Sequence, residues 1–533
     1  LIGDLLQIQT EDGWISEDRL HALALEKRIP LHRLESLTSF YTHFRREPPE
    51  PVRIDVCRDL ACALAGANQA GQALRQRLGQ QPGVEIREVS CLGRCDRAPA
   101  AVRGERNFCI SDPEKVLSAS DGDPGEARDE IPKTSGKTWA EATVYARTAD
   151  HYSTLKAALA DRPERLPEIL DASGLRGMGG AAFPTGRKWS GVAATPAEER
   201  HVIANADESE PGSFKDREIL LHLPHLLIEG MALAGYAVGA RRGTLFIRRE
   251  YAAECRAVEA ALSEARSAGA LGRGIFGSSF DFEIEVFVSP GGYILGEETA
   301  LLECLEDRRG EPRSKPPFPS TSGLLGRPTL INNVETLTHA TAILHHGADW
   351  WHERGLPGFS GHKFLSVSGD VAAAGVHLLP FGTPLRELLE LCGGMRDGGE
   401  PIALAPGGAS SRFLPASALD LPIDFQSLSD AGSMLGSGAV VFISEQRNLL
   451  EVGLNLTRFF RNESCGKCVP CRIGTEKAVE WLEAEGEVSP ETRERLEELH
   501  ALLARTSLCG LGQVALESLL SLAKLFPERM RGD

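Results

Sequence analysis

Eight of the twelve cysteines fall into two compact groups, and these are the residues best suited to redox chemistry. The first group is Cys57-x4-Cys62 followed, after 28 residues, by Cys91-x3-Cys95. Four thiolates in two pairs can hold a tetrahedral zinc or either common iron–sulfur cluster. Zinc ribbons normally keep two-residue gaps within each pair; gaps of four and three suit a [2Fe–2S] rhomb better, as the longer spacing of plant-type centres does. The second group, Cys465-x2-Cys468-x2-Cys471, sets three thiols on one tight loop, and Cys509 can close the fourth corner of a cubane. That spacing predicts one [4Fe–4S] cluster, with Lys467 and Arg472 placed to offset part of its charge. The remaining cysteines, Cys109, Cys255, Cys304 and Cys392, are expected to be buried small hydrophobes.

A different chemistry is written in residues 174–189. Five glycines among sixteen residues, with Arg187 and Lys188 near the end, describe a backbone that turns tightly and approaches something closely. Successive exposed N–H groups beside a lysine make a receptor for phosphate or another anion. This is not the dinucleotide fingerprint, because Gly177-x-Gly179-Gly180 is too compact and no strand immediately precedes it. Four further stretches keep it company: the acidic run 205–212, residues 291–299, the proline-rich run 315–319 and the segment 331–335 with its asparagine pair.

The elements that must position these residues alternate along the chain. Residues 1–50 read as helical, and the aromatic stripe Phe40, Tyr41, Phe44 within Leu34–Phe44 reads as helix packing. Strands at 52–57 and 84–89, with a helix over 61–78 between them, deliver Cys57, Cys91 and Cys95 at strand ends, where an α/β sheet presents its ligands. Residues 119–139 are a polar, Gly-, Pro- and Asp-rich linker. A helical lead over 151–170 reaches the glycine loop; strands at 201–205, 242–248 and 282–288 then alternate with helices at 220–238 and 251–268. Residues 360–445 look strand-rich and are expected to serve packing, and 449–527 is helical.

At 533 residues the chain is too long for one ordinary core. Its net charge of -17 argues against nucleic acid as a main partner. No apolar run is long enough for a membrane span. Clustered thiols without secretory features point to metal ligands in a reducing compartment, hence a cytoplasmic setting. The sequence opens on Leu1, which reads as a trimmed start.

Taken together, the motifs at 177–186, 205–212, 293–298, 331–336 and 464–471 resemble the NADH-binding flavoprotein subunit of respiratory complex I. Residues 1–118 resemble that complex's small thioredoxin-like [2Fe–2S] subunit, fused in front. The resemblance implies a multidomain α/β and α+β chain: 1–118, a helical lead plus thioredoxin-like [2Fe–2S] domain; 119–145, a linker; 146–358, an α/β domain for FMN and NAD(H); 359–445, a small β-rich, ubiquitin-like (SLBB-type) module; and 446–533, a helical [4Fe–4S] domain. It implies FMN phosphate at Gly177, Gly179, Gly180 and Lys188, and the flavin ring near Asn205, Asp207, Tyr293, Asn332 and Asn333. It places NADH over the flavin near Phe183 and Phe318, with Glu210, Glu298 and Lys315 on its polar groups, and puts Glu208, Gly296 and Glu297 in the same site. The motifs around the first cysteine group, with 404–410 and 421–425, look like the beta subunit of soluble NAD-dependent formate dehydrogenases. The relatives also include diaphorase subunits of NAD-reducing hydrogenases. Since the chain has no molybdopterin, tungsten or nickel site of its own, the resemblance implies a larger partner subunit carrying a molybdopterin-type cofactor and further clusters. A flavin-dead electron relay is the rival of another class, which the retained glycines, carboxylates and asparagines speak against. Departures from the family pattern are Ala182 and Ser209 where glycine is usual, Gly292 for alanine and Leu295 for cysteine.

Overall fold

The computed structural model describes residues 1–78, 81–110 and 151–531. The expected linker at 119–145 lies outside them. Strands β1 (Val52–Cys57), β2 (Val84–Val89), β3 (Ala100–Arg103) and β4 (Arg106–Cys109) form the first sheet, in the order β2-β1-β3-β4. β1 and β2 are parallel and in register from Val52↔Val84 to Cys57↔Val89, so their ends open on one edge beside Cys91. The β3–β4 hairpin carries none of the clustered cysteines and escaped the sequence reading. The single helix expected over 61–78 is two, Leu60–Leu64 and Ala67–Leu78, because the chain turns at Gly66 with φ +87°.

The helical lead, Ile2–Asp12, Glu17–Lys27 and Leu31–Phe40, precedes this sheet in the chain but packs elsewhere. Its apolar face, Ile2, Leu5, Leu20, Leu34, Leu37 and Tyr41, joins the core of Leu295, Phe459 and Phe460. The Ile2 amide donates to Asp307 at 2.8 Å, and Tyr41 Oη donates to the Arg308 carbonyl at 2.5 Å. The aromatic stripe is therefore packing, as expected, with Tyr41 and Phe44 buried.

β5 (His201–Ala206), β6 (Arg242–Arg248), β7 (Glu283–Ser289) and β8 (Thr329–Asn333) make an all-parallel sheet ordered β7-β6-β5-β8. Every strand ends toward the same edge, where the loops after β5, β7 and β8 hold the acidic run, Gly291–Glu298 and the asparagine pair. A parallel sheet is buried on both faces, and the helix Pro224–Val238 covers one of them, with most of its residues buried. The sequence suggested one helix from 220 to 238; Pro224 divides it from Lys215–His222, and the two are bent by 94°. Likewise the lead over 151–170 splits into Ser153–Ala158 and Arg165–Ser173 around Pro163.

After a short hairpin, β9 (Gly355–Leu356) and β10 (Phe359–Ser360), comes a five-stranded sheet of β11 (His362–Gly369), β12 (Gly375–Pro380), β13 (Pro401–Ala405), β14 (Leu414–Pro415) and β15 (Ala439–Ser444), ordered β12-β11-β15-β13-β14. The chain ends in the helices Leu449–Asn462, Val469–Glu485, Pro490–Thr506, Gly510–Val514 and Glu517–Leu525. Among the described residues no single helix is long and apolar enough to cross a membrane. Of the four lone cysteines, Cys304 and Cys392 are buried, Cys255 is half-buried, and Cys109 is exposed at the end of edge strand β4. The expectation of burial fails at Cys109.

Candidate flavin and iron–sulfur sites

The first four thiols come together. Cys57, Cys62, Cys91 and Cys95 are all buried, and the Cys91 and Cys95 sulfurs lie 3.6 Å apart. Three backbone N–H groups aim at sulfur, each at 3.4 Å: Gly93 at Cys91, Ala100 at Cys62 and Gly212 at Cys95. Hydrogen bonds from Cys57 and Cys95 hold the Cys91 thiol well below its ordinary range, with Arg248 adding to the effect. Buried sulfurs met by N–H donors suit a cluster ligated by thiolates, whose negative charge those donors stabilise.

The second four line one small cavity, together with Ile294, Pro312, Lys467 and Leu511. Cys468 is the N-cap of Val469–Glu485 and Cys509 the N-cap of Gly510–Val514. Two helix starts thus stand at the thiols, and the positive end of a helix favours an anionic cluster. Lys467 Nζ is tied to the Pro312 carbonyl at 2.8 Å, which fixes its ammonium at the rim. A Cβ at Gly512 would lie 2.5 Å from Ser507 Oγ and 2.9 Å from Cys471 Cβ. Only glycine leaves the Cys509 turn close enough to Cys471.

The glycine loop closes on itself through Gly177 N to Phe183 O at 2.9 Å and is anchored by Met178 N to Thr336 Oγ1 at 2.8 Å. Gly180 has φ +128° and nothing within 4 Å of where a Cβ would stand, so its backbone faces open space. Gly179 instead packs on Asn333, whose Cβ would be 2.9 Å from an added methyl. Ala182 adopts φ +52°, a left-handed conformation that favours glycine. Ser209 has no such conformation, and its hydroxyl donates to Asp207 at 3.1 Å.

Around this loop the predicted residues divide by what holds them. Lys188 and Lys315 converge on Glu298 at 3.4 and 3.0 Å; burial raises the Glu298 carboxyl, but the two ammonium groups outweigh it and hold it below the usual range. Lys315 also meets Glu297 at 2.8 Å, and Glu297 caps the helix Glu298–Leu305. Asn205 Nδ2 donates to the Gly296 carbonyl at 2.9 Å. Asn332 accepts from Trp189 Nε1 at 2.9 Å, and Asn333 donates to Asp216 at 2.6 Å. Phe183 and Phe318 are each 55% exposed, so both rings are open to a planar ligand. Glu208 turns the other way: its carboxylate accepts from Ser213, Tyr251 and the amides of Asp216 and Arg217, which start the helix Lys215–His222. Burial pushes Asp207 and Glu208 both up to about 7.

Two contributions were missed by the sequence reading. Ser410, in the module assigned to packing alone, donates its N–H to Glu210 at 2.7 Å, and its hydroxyl lies 3.2 Å from Tyr293 Oη, which itself donates to Glu210 at 2.6 Å. The other is a buried charge chain: Lys215 pairs with Asp216 at 2.7 Å and Glu335 at 3.0 Å, and Lys363 of β11 reaches Glu335 at 2.5 Å. Burial lowers Lys363 to about 8, and the chain fixes Asn333 from behind. Charged residues scattered over three elements give no local signal, so neither contribution was visible from spacing.

This architecture defines a flavin- and cluster-bearing NADH oxidoreductase module, and the comparisons with known proteins agree. Family models match for the thioredoxin-like [2Fe–2S] ferredoxin at residues 1–119, the Nuo51 FMN-binding domain at 170–342, the SLBB domain at 364–414 and the NADH-ubiquinone oxidoreductase-F iron–sulfur binding region at 451–532. The NADH-quinone oxidoreductase-F protein of Escherichia coli (strain K12) is 44% identical over 391 residues, 72% of this chain and 87% of that protein. The NADP-reducing hydrogenase protein HndC of Solidesulfovibrio fructosivorans is 40% identical over 378 residues, covering 70% of this chain and 77% of its own length. A chain in the crystal structure of NAD+-reducing [NiFe]-hydrogenase in the H2-reduced state superposes with a TM-score of 0.87 at 31% identity, covering 99% of this chain and 91% of that one. The chain belongs to the NADH-quinone oxidoreductase-F family, with a thioredoxin-like [2Fe–2S] domain fused ahead of it. Its cofactors are FMN, one [2Fe–2S] and one [4Fe–4S] cluster, and NADH is its substrate.

Proposed function

We propose that this chain is the NAD-reducing diaphorase subunit of a molybdenum- or tungsten-dependent formate dehydrogenase, in which formate and NAD⁺ become CO₂ and NADH. The observation that carries the reading is the 405–410 stretch, by which the sequence leaned to formate dehydrogenase: it lies against the acidic loop, where Ser410 holds Glu210. The complete set of four thiols in the N-terminal module supports it further. Bound FMN takes two electrons as hydride and releases them singly, which suits a place between NAD and one-electron clusters. Gly177, Gly179, Gly180 and Lys188 would hold its phosphate, and Asn205, Asp207, Tyr293, Asn332 and Asn333 would surround its ring. Phe183 and Phe318 would flank the dinucleotide's rings, while Glu210, Glu298 and Lys315 meet its hydroxyl and phosphate groups. These residues align two planes and need supply no acid–base group. The larger partner would carry the molybdopterin-type cofactor and further clusters.

A second reading, the diaphorase of an NAD-reducing hydrogenase, is favoured by the near full-length likeness to the hydrogenase chain. Co-purification from the native cell, metal analysis and parallel assays with formate and hydrogen separate the two. Molybdenum or tungsten with formate turnover supports the proposal. Nickel with hydrogen turnover and no formate activity overturns it and leaves the diaphorase reading intact.

A further inference from the structure

Between the [2Fe–2S] module and the FMN-binding domain lies a cavity of about 840 Å³, within the range of small-ligand pockets. Its walls are residues 42–53, which join the helical lead to β1, the end of β2, the β3–β4 turn and the turn after β6. Asp207 and Tyr293, two of the residues predicted around the flavin ring, line it together with Ser209; the glycine loop, Lys188, Glu298, Lys315 and the asparagine pair take no part in its lining.

Eight arginines face this cavity. Of the carboxylates among them, Asp55 pairs with Arg53 and Arg87, Glu250 with Arg248, Glu88 with Arg75 and Glu105 with Arg256, Asp207 accepts from Ser209, and Glu50 is exposed. Glu463 accepts from Ser90 and from the Tyr293 amide. Arg45, Arg58 and Arg249 form no ion pair among the described residues, and Arg45 and Arg58 each bury an Nε–H without an acceptor. Burial and the like charges of Arg53 and Arg249 lower the Arg45 guanidinium. A charged donor left buried and unpaired is costly, and a guanidinium fork matches phosphate oxygens two at a time.

We infer that this cavity is a second anion site, distinct from the NADH site, that takes a diphosphate-bearing small molecule of nucleotide size beside the [2Fe–2S] cluster. An acidic segment of a partner protein is the competing occupant; the cavity's place between two domains of one chain and its volume favour the small molecule.

The test is calorimetric titration of ADP, and separately of inorganic pyrophosphate, into the full chain loaded with FMN and clusters and saturated with NAD⁺. One equivalent should still bind. Affinity should fall at least tenfold in Arg45→Ala/Arg249→Ala, with iron and flavin content unchanged. Arg249→Ala alone, at an exposed position, should show a smaller loss should the double variant fold poorly. ADP binding more tightly than pyrophosphate supports a ligand of nucleotide size; equal binding overturns that size and leaves a site for a free diphosphate. No binding of either probe in the presence of NAD⁺, or binding indifferent to Arg249→Ala, overturns the inference. So does loss of ADP binding in the native complex with hydrogen-exchange protection of 42–53, which would assign the cavity to a partner polypeptide.

Discussion

At the scale of single residues the acidic loop is where charge is most finely balanced. Asp207 is ionised only above about 7 because burial opposes its charge, against an unperturbed 3.8. Between those values the unfolded chain has lost the proton that the folded chain keeps, so stability falls as pH rises and the loss is complete above about 7. The shift corresponds to at most about 4 kcal/mol. Asp207→Asn should therefore raise the melting temperature at pH 8 and leave it unchanged at pH 3.5, as differential scanning calorimetry can check. Glu210 is also raised by burial, but Tyr293 and Ser410 counter that with hydrogen bonds to its carboxylate. A hydrogen bond to a charged group contributes about 1.5–3 kcal/mol, or about one to two pH units. Tyr293→Phe should thus raise the Glu210 pKa further and move the acid limb of kcat/KM for NADH oxidation upward by about that amount. A pH profile identical to wild type would show that Glu210 takes no part in binding NADH.

At the scale of elements, two glycines separate propensity from packing. Gly235 sits inside Pro224–Val238, where alanine would ordinarily stabilise a helix by about 1 kcal/mol. Here an added Cβ would lie 2.4 Å from the buried Phe282 ring, and overpacking costs about 1–3 kcal/mol. Gly235→Ala should lower the melting temperature. Gly512→Ala should act locally, pushing the Cys509 turn off Cys471; iron analysis with electron paramagnetic resonance should show the [4Fe–4S] signal lost and the [2Fe–2S] signal kept. The sequence made the elements around the cysteines and glycines legible, because cluster spacing and turn residues are local signals. It placed β1, β2, β5 and β6 almost to the residue. It ran helices through Gly66, Pro163 and Pro224, where hydrophobic periodicity continues across a break. It could not show that the helical lead leaves its own module to pack on Leu295 and Phe459, since burial partners 250 residues or more apart leave no periodic trace. Nor could it show Ser410 reaching Glu210, a contact 200 residues long in sequence.

At the scale of the whole molecule the question is what holds the [2Fe–2S] module against the flavin domain. The contact is ionic and buried: Arg94, between Cys91 and Cys95, pairs with Glu254 of Ala252–Ser267 at 2.9 Å, with side chains 1% and 4% exposed. Arg217 meets Asp96 at 2.8 Å and donates to the Gly93 carbonyl, and Arg248 donates to the Cys91 carbonyl at 2.5 Å. Three arginines, two of them rooted in the flavin domain, thus grip the loop that carries Cys91 and Cys95. Removing one partner of a buried pair is destabilising by about 3–5 kcal/mol, chiefly because the other charge is left uncompensated. Glu254→Gln strands Arg94 without altering any ligand, any flavin-site residue or the volume of the side chain. The module should then dock less tightly while keeping its own sheet and its four thiols. Electron transfer weakens steeply with separation, so rapid-freeze spectroscopy after mixing with NADH should show slower appearance of the reduced [2Fe–2S] signal. Iron content and NADH-driven reduction of an artificial acceptor at the flavin should hold at wild-type levels, which distinguishes loosened docking from a damaged cluster. Wild-type kinetics of [2Fe–2S] reduction in Glu254→Gln would mean that Arg217 and Arg248 suffice to hold the module, and that the Arg94 pair serves its fold alone.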